Sequence, residues 1–143
     1  MRDESVAARE AAGPKAAAPV EAAPEGPLAR AAAHYRELFA KFADGTPAPS
    51  RAPVPDDLAR RSADIKGAAY FLDASQVGLC RMPENGWLTG GDHPTHGYAA
   101  VILVERPRLP EPDNLAREWI QPARAEIAAM RAAEIAVCVA GHI

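Results

Sequence analysis

The sequence predicts a mixed α/β (α+β) domain of two strands and flanking helices, preceded by a disordered Ala/Pro-rich leader. Three observations lead there. Val101-Ile102-Leu103-Val104 is an unbroken apolar run of strand length. Two longer segments, one ahead of it and one behind, space their apolar residues at helical intervals. Eight of the fourteen prolines fall in the first 55 residues, which sets that region apart from the rest of the chain. A length of 143 residues suits one ordinary domain.

Residues 1–27 are dominated by Ala, Pro, Glu, Gly and Lys. Such a stretch has too little to bury to offset the entropy of ordering it, and it reads as a disordered leader. It lacks the basic start and apolar centre of a secretory signal. Residues 28–55 form a short helix and a proline-rich linker. The helix is expected over Leu28–Phe42, with Leu28, Tyr35, Leu38, Phe39 and Phe42 as its apolar face. Asp44-Gly45 ends it, and Pro47, Pro49, Pro53 and Pro55 stiffen the linker.

Residues 56–143 hold the α/β domain. Asp56 and Asp57 offer caps and favourable charge at a helix start. That helix runs to about Asp73, with a possible break near Ser62, and places Leu58, Ile65, Ala69 and Leu72 on one face. Gln76–Cys80 reads as a short strand, residues 81–97 as a turn-rich loop, and Tyr98–Glu105 as the second strand. A last helix is expected after Pro112, reset with Pro122 in a first turn, and continuing to the terminus.

This domain looks unfinished. A continuous apolar strand is normally covered on both faces, and a two-stranded sheet is marginal by itself. The last helix still presents Ile135, Val137, Val139 and Ile143 at its end. The expectation is that these residues are the front part of a larger domain; the alternative is a small protein that completes its core with a partner or a second copy.

Composition excludes several function classes. A net charge of −3 gives no electrostatic footprint for nucleic acid or an anionic membrane. Two cysteines cannot build a disulfide-dense scaffold or a four-thiolate metal site. The 48% hydrophobic fraction is inflated by alanine, about a quarter of the chain.

The residues that carry chemistry stand apart from one another. Asp92-His93-Pro94-Thr95-His96 gathers two imidazoles and a carboxylate, which are metal-ligand types. The proline between them and the lack of a further ligand pair favour a hydrogen-bonded loop, or the lip of a binding site. Cys80 and Cys138 are expected to act as small core hydrophobes. Trp87 and Trp119 are expected to anchor a loop and a helix in the core. His34 and His142 default to structural or exposed roles, and Arg60-Arg61 to a solvated helix face. No phosphate loop, nucleophile elbow or zincin motif is present. No catalytic residue, cofactor-binding residue or metal ligand is assigned.

Two stretches carry a resemblance. The first is Ala63-Asp64-Ile65-Lys66-Gly67-Ala68-Ala69-Tyr70-Phe71-Leu72-Asp73-Ala74 followed by Val77-Gly78-Leu79-Cys80; the second is His96-Gly97-Tyr98-Ala99-Ala100-Val101-Ile102-Leu103-Val104. With the final Ala-rich helix through Ala140-Gly141-His142, they resemble the front half of the corrinoid iron–sulfur reductases, namely the reductive dehalogenases and the epoxyqueuosine reductases. The resemblance implies a partial nitroreductase-like core and, for the full-length family, a cobalamin and two [4Fe–4S] clusters. Electrons in that family pass through the clusters to cobalt. The cluster-binding runs of closely spaced cysteines are absent from this sequence, so inactivity of this chain alone is expected. The leader resembles no twin-arginine export signal, and a cytoplasmic, non-respiratory relative is implied. The expected partner is the remainder of its own domain or another chain, with neither nucleic acid nor membrane involved.

Overall fold

The computed structural model describes residues 23–43, 49–50, 52–83, 86–87 and 96–143. The elements in chain order are α1 (Gly26–Ala40), α2 (Leu58–Phe71), β1 (Gln76–Arg81), β2 (Tyr98–Leu103), α3 (Arg117–Ile120) and α4 (Arg124–His142). The architecture is mixed α/β with one two-stranded sheet. The chain divides into two compact units, a larger one of Ala23–Gly78 with Val101–Ile143 and a smaller one that includes Leu79–Ala100. Residues 1–22 of the expected leader lie outside the described residues.

In the larger unit, α4 is the element against which the others pack. Ile135 and Val139 of α4 join Ala69 of α2 and Ala74 in the buried cluster. Ile65, Leu72, Val77, Ile102 and Val104 close around it, so the inner face of the sheet meets α2 and α4 together. Ile135, 2% exposed, is the largest fully enclosed side chain among the described residues.

On another side of α4 lies α1, which opens with Pro27 in its first turn. Its buried residues are Ala29, Ala32 and Ala33. With Arg36 they take the i, i+3, i+4, i+7 spacing of one helix face. This corrects the expected large-residue face in part: Tyr35 and Phe42 are exposed, while Leu28, Leu38 and Phe39 are half-buried. Alanines let two helix backbones approach closely, and that geometry decides which stripe turns inward. At the end of the stripe, Arg36 Nε faces Glu126 Oε2 of α4 at 3.5 Å in a partly buried ion pair.

α2 starts where Asp57 caps it, its Oδ1 accepting from the Ala59 N–H at 2.8 Å. The helix runs unbroken through Ser62. Leu58 is exposed rather than part of the inner face, because it stands in the first turn, ahead of the region that meets α4. Arg61 is also not a freely solvated side chain. Its guanidinium donates to the Pro55 carbonyl and lies 3.9 Å from Asp56.

The end of α2 is a Schellman motif. The Ala74 N–H bonds the Ala69 carbonyl at 3.0 Å, and the Asp73 N–H bonds the Tyr70 carbonyl at 3.1 Å. Asp73 takes the left-handed position, φ 69°, where glycine is usual. Burial of Ala69 and Ala74 supplies the apolar contact that accompanies such a stop.

β1 and β2 are antiparallel. The Met82 N–H donates to the Gly97 carbonyl at one end, and the Ser75 N–H to the Leu103 carbonyl at the other. Ser75 Oγ then accepts from the Glu105 N–H at 2.9 Å, which fixes the chain as it leaves β2. The expected final helix is two helices. The Asn114 side chain accepts from the Ala116 N–H in the turn just ahead of the short α3, which has no side-chain cap of its own. Pro122 has no N–H to carry a helix onward and lies in the turn between α3 and α4, outside the first turn of either.

These contacts set measurable changes in stability. Asp73→Gly is expected to leave stability unchanged or raise it by up to about 1 kcal/mol, since glycine accepts positive φ and the exposed partner charge contributes little. Asp73→Val is expected to lower stability by about 1–2 kcal/mol. Urea midpoints at constant slope measure both, and an equal loss for the two variants would contradict the argument. In the same assay, Ile135→Ala should cost about 2–4 kcal/mol through the cavity it leaves. Ala32→Leu should cost about 1–3 kcal/mol by forcing α1 away from α4.

Candidate functional site

The continuous apolar run of β2 sends alternate side chains to opposite faces of the sheet. Ile102 and Val104 turn inward to the core cluster. Val101 and Leu103 turn outward and are 50% and 53% exposed. Opposite them on β1 is Gly78, where a Cβ would meet nothing within 4 Å. The missing side chain leaves a shallow groove of about 250 Å³, lined by Gln76, Val77, Gly78, Val101 and Leu103. A glycine within a strand often marks the close approach of another backbone. Among the described residues this outer face is apolar and notched, with Val101 and Leu103 about half exposed.

The second groove of the larger unit lies between the end of α2 and α4. It encloses about 160 Å³ and is lined by Phe71, Leu72, Asp73, Arg131, Glu134, Ile135 and Cys138. Arg131 ties its walls together, with one nitrogen 3.3 Å from Asp73 Oδ2 and the other 3.0 Å from Glu134 Oε2. Glu134 shares α4 with Arg131, so the Asp73 contact alone of these two links the end of α2 to α4, and its exposed carboxylate contributes little.

In the smaller unit the Arg81 guanidinium sits 5.7 Å from the centroid of the exposed Tyr98 ring. Trp87 is half-buried there. Most of the loop expected over 81–97, including Asp92, His93, Pro94 and Thr95, lies outside the described residues; His96 is exposed. A Cβ on Gly86 would come within 2.9 Å of Met82 Sδ and 3.2 Å of the Pro83 ring.

The other residues singled out from the sequence do not converge. Cys80 and Cys138 are both exposed, which corrects the expectation of core thiols. Cys80 comes two residues after Gly78 on the outward side of β1, and Cys138 stands beside the buried Ile135 and Val139 but past the edge of the inner face. Trp119 is 54% exposed instead of anchored in the core, because α3 has a single turn and no buried residue. His34 lies on the exposed side of α1, edge-on to Tyr35 with centroids 6.0 Å apart. His142 is exposed in the last turn of α4.

Against known proteins, neither a family description nor a curated protein matches the chain. Solved structures do. A reductive dehalogenase whose structure suggests a mechanism for B12-dependent dehalogenation superposes with a TM-score of 0.74 at 39% identity, covering 92% of this chain and 18% of that one. The catabolic reductive dehalogenase NpRdhA gives 0.75 at 40% identity over 92% of this chain and 19% of that one. The same enzyme in complex with 3-bromo-4-hydroxybenzoic acid gives 0.74 at 39% identity, over 92% and 18%. The chain is therefore reductive dehalogenase-like along nearly its whole length. It spans less than a fifth of the length of the dehalogenases it matches.

The cofactors implied by this likeness can be tested against the residues present. Among the described residues, no three His, Cys, Asp or Glu side chains come together to hold a metal. The two thiols stand on different elements, and both grooves are shallow and smaller than the usual range for a bound small molecule. Among the described residues, neither the donor set nor the grooves fit an iron–sulfur cluster or a corrinoid. No helix among the described residues is long and apolar enough to cross a membrane.

The two faces of β2 make opposite predictions for the isolated chain. Leu103→Lys should change the unfolding free energy by no more than about 0.5 kcal/mol, because the side chain is already in water. Ile102→Lys should cost more than about 2 kcal/mol by driving a charge into the core cluster. Circular dichroism melts of the two variants distinguish the faces, and a large loss for Leu103→Lys would mean that the outer face is covered.

Proposed function

We propose that this chain is the amino-terminal portion of a cytoplasmic, corrinoid-dependent iron–sulfur oxidoreductase resembling reductive dehalogenases, and that its role is scaffolding. The observation that carries this reading is 39–40% identity to reductive dehalogenases over 92% of the chain. The exposed outer face of β1 and β2 supports it, since that face is where the rest of a nitroreductase-like core would be laid down. In this reading α4 and α2 hold the sheet from one side, and the remainder of the enzyme supplies the other layer, the clusters and the catalytic groups. Placement with the dehalogenases rather than the epoxyqueuosine reductases rests on which solved structures carry the likeness.

A second reading is favoured by the same uncovered sheet face: a small non-catalytic interaction domain that completes its sheet with a partner protein. The two readings part in one set of measurements on the purified 143-residue chain. It is titrated with hydroxocobalamin, passed over a sizing column, and assayed for bromide release from 3-bromo-4-hydroxybenzoic acid with a low-potential reductant. The first reading expects no bromide release from the chain alone. It also expects association, and recovered turnover, when the chain is co-expressed with a reductive dehalogenase lacking the matched segment. Turnover by the chain alone would overturn the scaffolding role. A stable dimer that neither binds cobalamin nor complements the shortened dehalogenase would favour the second reading.

A further inference from the structure

We draw no further inference here: the strongest candidate outside the sheet face already described, the groove between the end of α2 and α4 walled by Asp73, Arg131, Glu134 and Cys138, is a solvent-open set of partly exposed ion pairs beside a lone thiol, with no second observation pointing to a ligand.

Discussion

The larger unit depends on one helix face, the side of α4 that carries Ile135 and Val139. α2, the inner side of the sheet and the segment leaving β2 all converge on these two residues. The requirement is stringent because the rest of the core is so small. Of the eight buried apolar residues described, six are alanines. An alanine removes little apolar area from water, so its contribution comes through close backbone approach rather than through bulk. Ile135 supplies volume that the alanines do not, and α2 and the inner side of the sheet fit around it, while α1 packs on another side of α4.

A second device holds the irregular segments. Prolines give the chain extended stretches whose carbonyls have no ladder or helix to receive a donor, and buried carbonyls without partners are costly. Three arginines meet that need. Arg61 donates to the Pro55 carbonyl, Arg117 to that of Pro110 at 2.6 Å and Arg124 to that of Pro107 at 2.8 Å. Each guanidinium springs from a helix and reaches back to the extended segment ahead of it. A planar group with several donors can bond a carbonyl and still face water or a carboxylate, as Arg61 does with Asp56. Lysine, with a point charge on a flexible stem, would hold these segments less firmly.

Much of the fold is legible in the sequence, and the losses have physical causes. β2 is readable because four consecutive β-branched or leucine residues leave few alternatives. The start of α2 is readable because Asp57 stands where a cap must be. The packing face of α1 is not, because hydrophobic periodicity weights large side chains, whereas a close helix pair selects small ones such as Ala29, Ala32 and Ala33. The stop at Asp73 is hidden because an aspartate occupies a glycine's conformation, and only the backbone reveals it. Cys80 and Trp119 mislead for separate reasons: Cys80 lies on the outward side of β1, and Trp119 on a one-turn helix with no buried residue. The outer face itself is partly legible, since an unbroken apolar strand implies cover on two sides. Its notch at Gly78 is visible only once the neighbours are placed.

The position of α4 in the chain has a consequence for the order of assembly. The strands of the sheet can find each other as soon as β2 exists, since only a loop separates them. The buried cluster cannot form then, because Ala69 and Ala74 must wait for Ile135 and Val139, far along the chain. During synthesis, which proceeds from the amino end, α1, α2 and the sheet are therefore all made before α4 can complete the buried cluster. For that interval the inner side of the sheet has α2 but not α4 to pack against, and the nascent chain is most open to pairing with the wrong strand. The interval closes when the last turns of α4 emerge and cover the inner side. On the outer side, Val101 and Leu103 stay half exposed.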